Sequence, residues 1–200
     1  MKSFLLFAFA AAAALLVGCA PRWTVLREAQ PNPFVGKTEF AVMPIDYSGL
    51  HVGELTEAEY LARKDEGQQA SFDGDKRGMI AKFEEAMRNA AAEEGIHVQS
   101  AEGEVTAPFI IKPHVTFVEP GFYAVVASGA SEVNMTVRIE TAQGQLLDEI
   151  ELTHSTNSAN GSSVMGISLN PSSGGRLRED AEEIGDAMGE YLITRVRPDD

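Results

Sequence analysis

Between Ser131 and Thr141 the sequence alternates with period two, placing Val133, Met135, Val137 and Ile139 on one side and Glu132, Asn134, Thr136, Arg138 and Glu140 on the other. Successive strand residues point to opposite faces, so this segment demands a sheet with one wet face and one buried face. Two stretches with helical spacing can cover the buried face. Met79, Ile80, Phe83, Met87, Ala90 and Ala91 form one stripe of a helix expected from about Ser71 or Asp75 to Glu94, ended by Gly95. Leu177, Ala181, Ile184, Met188, Tyr191 and Leu192 form another in a helix expected over about 175–196, stopped by Pro198.

Further strands are expected at 39–46 (EFAVMPID), 96–99, 109–118 and 146–153, the last entered through a turn at 142–145. Pro44 has no N–H for a ladder and asks for an edge or a strand end. Thr56 with Glu59 three residues later is a capping-box pattern, which predicts a short helix within 54–64. This order gives an α+β fold: a mostly antiparallel sheet of four to five strands with two main helices packed on one face. A chain of 200 residues buries enough surface to hold such a core without staples, and its single cysteine allows no internal disulfide. No repeat or second domain is evident. Residues 155–175, rich in Ser, Asn and Gly, are too long for an ordinary connection and are expected to be mobile or functional.

Sixteen Lys and Arg stand against thirty Asp and Glu, a net charge of -14. Phosphate backbones are bound by clustered cations, so this balance speaks against a nucleic-acid partner. Lys2 is followed by an uncharged, mainly apolar run from Ser3 to Gly18 and then by Cys19. The run is shorter than the roughly 20 residues of a membrane-spanning helix and reads as an export signal. Leu16-Val17-Gly18-Cys19 resembles a bacterial lipobox. That resemblance implies cleavage between Gly18 and Cys19, a diacylglycerol on the Cys19 thiol and an acyl chain such as palmitate on the new amine. Ala20, where an Asp would imply inner-membrane retention in enterobacteria, favours the periplasmic face of the outer membrane. The expected organisation is a lipoprotein signal peptide at 1–18, a lipidated N-terminus and short tether at 19–37, and one α+β domain at 38–197. Residues 20–37 carry three prolines and the apolar Trp23, Val25 and Phe34, so either a free linker or a small docking strand fits them.

Candidates for chemistry are few. Residues 73–84, DGDKRGMIAKFE, match a calcium loop at some positions, with Asp73, Asp75 and Glu84 as the oxygen donors. Arg77 stands where another oxygen ligand belongs, and Asp73 or Asp75 serves equally well as the cap of the long helix. Gly36-Lys37-Thr38 looks like the end of a phosphate loop, but Pro31 replaces its first glycine and a strand follows. Ser172-Ser173-Gly174-Gly175 ahead of a helix fits an anion site beside Arg176 or, more simply, a helix cap. His51, His97, His114 and His154 have no metal-ligand spacing. Glu179, Asp180, Glu182, Glu183 and Asp186 read as the solvated face of the last helix. No nucleophile motif occurs, and the chain is expected to be neither an enzyme nor a cofactor carrier.

The run from His114 through Val118-Glu119-Pro120-Gly121, then 127–131 (ASGAS), 133–140 and Gln143-Gly144-Gln145-Leu146-Leu147, resembles a family of bacterial lipoproteins known only as a domain of unknown function. With the AVMPID strand and the closing RLREDAEEIGDAMGEYL helix, the likeness spans most of the expected mature chain. In outline the fold is also similar to the periplasmic domains of lipoprotein activators of peptidoglycan synthases and of curli-secretion lipoproteins. The family brings no catalytic residues. These resemblances imply a non-catalytic outer-membrane lipoprotein, held by Cys19, whose domain binds or scaffolds another envelope component, most simply a protein. The alternative is a small-ligand or calcium-binding envelope protein.

Overall fold

The computed structural model describes residues 22–101, 106–124, 127–156, 163–164, 167–168 and 172–198. Trp23–Arg27 (β1), Glu39–Val42 (β2), His51–Val52 (β3) and Leu55–Thr56 (β4) precede two helices, Glu57–Ala62 (α1) and Glu66–Glu93 (α2). His97–Ser100 (β5), Phe109–Glu119 (β6), Phe122–Ala124 (β7), Ala127–Gly129 (β8), Glu132–Thr141 (β9) and Leu146–His154 (β10) come next. Two short strands, Ser163–Val164 (β11) and Ile167–Ser168 (β12), precede the last helix, Ser173–Val196 (α3).

The main sheet has eight strands in the order β1-β10-β9-β6-β2-β5, with β3 against β6 and β4 against β3. It is mixed, which corrects the expectation of four to five mostly antiparallel strands. β1, β10, β9 and β6 run antiparallel in turn, whereas β2 is parallel to both β5 and β6, and β3 is parallel to β6. The cause lies in the crossover from β2 to β5. A 28-residue helix carries the chain back along the sheet, so the returning strand points the same way as the one it left.

Pro113 sits inside β6 without breaking it. It is paired with Val137 of β9, and its carbonyl accepts the Asp46 N–H on the other edge. A strand residue's N–H and C=O share one edge, so the missing donor faces the stretch just past β2, where Pro44 also has none. Both prolines sit where the ladder is already interrupted.

The alternation in β9 holds: Val133, Met135, Val137 and Ile139 are buried, and Asn134, Thr136 and Glu140 are partly exposed. α2 and α3 join the same apolar core through Met79, Phe83, Met87, Leu177, Ala181, Ile184 and Met188. Their backbones approach closely. A Cβ on Gly185 would lie 2.4 Å from the Phe83 carbonyl oxygen, and one on Gly189 would lie 2.6 Å from the Ala90 Cβ. Contacts climb in step from Gly174 beside Asp75 to Gly189 beside Ala90, so the two helices run side by side in the same direction.

Helix starts differ from expectation in an instructive way. Thr56 caps α1 with the predicted reciprocal box to Glu59. α2 begins earlier than its apolar stripe, capped by Asp65 with Gln68. Asp73 and Asp75 are therefore interior helix residues, not caps. Of the two possibilities open for 20–37, β1 is a strand of the sheet, and Phe34 is fully buried against Phe40 and Phe109. Among the described residues the fold already includes Arg22 and β1, ahead of the boundary expected at residue 38. Most of the 155–175 stretch lies outside the described residues; within it β11 pairs with β12. Among the described residues no helix is long and apolar enough to cross a membrane.

Candidate functional site

The helical period of α3 places charge on its buried stripe. Asp180 follows Leu177 by three residues and precedes Ile184 by four, and it is fully buried. This corrects its assignment to a solvated acidic face. Its carboxylate accepts hydrogen bonds from the Ser131 Oγ at 2.6 Å, the Thr156 Oγ1 at 2.7 Å and the His154 Nδ1 at 2.9 Å. The Asp180 hydrogen bond raises the His154 pKa above its ordinary value against the opposing effect of burial, and the charges of Asp180, Glu183 and Glu179 add to the rise. One turn earlier, buried Arg176 donates to the carbonyls of Gly129 and Pro120, each at 3.2 Å. The first turns of α3 therefore pin the base of the β7–β8 hairpin and the end of β10.

A second buried cluster occupies the other end of α3. Asp148 is fully buried and accepts from the Tyr191 hydroxyl at 2.6 Å, the Arg195 Nε at 2.8 Å and the Ala29 N–H at 2.8 Å. Burial, and then the bond to Asp148, push the Tyr191 phenol well above its ordinary pKa, so it remains a neutral donor. Arg195 also pairs with Glu28 and donates to the Ala29 carbonyl, and the Asn32 side-chain amide donates to the Arg195 carbonyl at 2.8 Å. Trp23 packs edge-on against Tyr191, with ring centroids 5.6 Å apart. Arg22 reaches three exposed acids of α3: Glu183, Asp186 and Glu190. The N-terminal segment is thereby bound along the C-terminal half of α3, from Glu183 to Val196.

The calcium candidates are not brought together. Asp73 and Glu84 lie eleven residues apart in the continuous helix α2, about 16 Å along its axis, whereas one ion needs all its oxygens within about 2.6 Å of itself. Each acid already has a cation: Asp73 has Lys76, Asp75 has Arg178 and Glu84 has Arg88. Among the described residues no group of three His, Cys, Asp or Glu is placed to hold a metal ion. Gly18 and Cys19 lie outside the described residues. The phosphate-loop likeness at Gly36-Lys37-Thr38 leads into β2, a strand. Ser172 caps α3 by accepting the Gly175 N–H, and a Cβ on Gly174 would fall 1.9 Å from the Asp75 Oδ1. A carboxylate of the protein itself stands against that helix start.

His51 and His114 contact the carbonyls of Gly49 and Ser48, His97 is on the edge strand β5, and His154 meets Asp180. Asp180 and His154 have the geometry of an oriented base. Among the described residues no hydroxyl or thiol is bonded to the other ring nitrogen of His154, and the pair joins α3 to the end of β10.

No protein-family model matches the sequence, and no curated protein matches it. Three solved structures are distantly similar to the chain. PelC from Paraburkholderia phytofirmans, solved as a dodecamer, is 13% identical with a TM-score of 0.45 over 84% of this chain and 97% of that one. A point variant of the same dodecamer is 14% identical with a TM-score of 0.46, over 88% and 98%. A hypothetical protein from Chlamydia trachomatis is 10% identical with a TM-score of 0.45, over 81% and 99%. Similarity at this level carries no inference about what the chain does.

Proposed function

We propose that the chain is a non-catalytic lipoprotein of the bacterial outer membrane, acylated at Cys19 after removal of residues 1–18, whose single domain binds another component of the envelope. The observation that carries this proposal is the spacing between anchor and fold. Only Ala20 and Pro21 separate Cys19 from Arg22, which is bound to α3, and Trp23 already belongs to β1. At about 3.5 Å per extended residue, such a connection keeps the domain within roughly 10 Å of its lipid. A domain confined in this way suits a partner at the same membrane. Among the described residues the two outer strands, β1 and β5, each pair on one side only, and a free sheet edge is a ready surface for strand addition.

Crosslinking in intact cells followed by affinity capture, with the native chain beside Cys19→Ser, tests the proposal. One dominant envelope protein recovered with the native chain and lost with Cys19→Ser is the expected result. Equal recovery of abundant bystanders by both forms would overturn it.

A further inference from the structure

The exposed large hydrophobic side chains among the described residues are Val25, Leu26 and Val35, which are 45%, 51% and 54% exposed. All three fall in the N-terminal segment, within sixteen positions of Cys19. This segment also differs in charge from everything after it. Residues 20–38 carry Arg22, Arg27 and Lys37 against Glu28, a balance of +2; residues 39–200 carry 12 Lys and Arg against 29 Asp and Glu, a balance of -17.

The strip has a fixed shape. β1 holds one edge of the sheet against β10, with a bulge between Val25 and Arg27. Beyond it, Glu28, Ala29 and Asn32 are bound to Asp148 and Arg195, and the Gly36 N–H donates to the Val196 carbonyl at the end of α3. Neither Arg27 nor Lys37 forms an ion pair among the described residues.

We infer that this strip, the β1 edge with the corner it forms at the C-terminal end of α3, is the surface on which the domain lies against a lipid bilayer. The inference rests on the proposed acylation of Cys19. Short tethering brings the strip to the interface, its exposed aliphatic side chains enter the headgroup boundary, and Arg27 and Lys37 face anionic headgroups. The opposite edge of the sheet, β5, then points toward the envelope interior and is left open to a partner.

Acylation consumes the chain's one natural thiol, so an introduced cysteine is the only free one. Leu26→Cys, Val35→Cys and, on the far edge, Gln99→Cys are purified in full length from membranes and checked by intact mass. Each is labelled with an environment-sensitive dye and reconstituted into phosphatidylethanolamine vesicles containing phosphatidylglycerol, with brominated acyl chains as quencher. Quenching severalfold stronger at 26 and 35 than at 99 is the expected result. Equal quenching at the three sites in protein whose mass includes the acyl chains would overturn the inference while leaving the lipoprotein intact. A mass without acyl chains would remove the inference together with the lipidation it rests on.

Discussion

The two ends of α3 solve one problem with different chemistry. Asp180 and Asp148 are both fully buried carboxylates that must be compensated. Asp148 has a permanent cation, Arg195, itself buried, together with the Tyr191 hydroxyl and a backbone N–H. Asp180 has two neutral hydroxyls and a half-exposed histidine, whose charge depends on pH. The first cluster is a clamp built around an arginine, and it fastens the N-terminal segment. The second is adjustable and fastens the end of β10, from which the chain leaves toward 157–171.

The largest effect is expected from Arg195→Met. Removing one partner of a buried pair leaves the Asp148 carboxyl without its cation, at a cost of about 3–5 kcal/mol; the loss is read by urea unfolding. Gly185→Ala comes next, because the new methyl meets the Phe83 carbonyl and must push α2 from α3. The gain in helix propensity offsets part of this, and a net loss of about 1–3 kcal/mol is expected in the same assay.

His154→Gln sharpens the contrast through pH. The folded-state pKa of His154 is raised above its unfolded value of about 6.5. Its stabilisation is therefore fully present below that value and is lost as pH rises through the raised folded value. Thermal midpoints of the native chain and His154→Gln should differ most in mildly acidic buffer and converge at alkaline pH. Convergence should not occur for Arg195→Met. The smallest effect is expected for Arg22→Ala, whose three pairings are solvent-exposed and together contribute on the order of 0–1 kcal/mol to unfolding stability.

Much of this architecture is legible in the residues, and its gaps have physical causes. The β9 alternation and the stripes of α2 and α3 repeat over several turns or pairs, and they hold. The start of α2 is hidden because its first turn, residues 66–69, has no apolar residue, although Asp65 with Gln68 is a readable box. Parallel pairing is invisible to hydropathy and arises from the long helix between two strands. In the clusters, Asp180 and Arg195 are signalled by spacing: Arg195 is four residues past Tyr191 and seven past Met188, on the apolar stripe. Asp148 is not, because the β10 register shift between Leu146 and Asp148 buries two successive residues, a pattern no alternation predicts. β1 is short and one-sided, so a linker and an edge strand look alike in composition.

Trp23–Arg27 is a strand of the domain and not part of a tether. Hydrogen exchange of the native chain measures it directly, at the amides of residues 23–27 that bond to β10. Protection approaching that of the β9–β10 ladder, collapsing in Arg195→Met, is the predicted result. Exchange of those amides at the rate of an unstructured peptide in the native chain would contradict it.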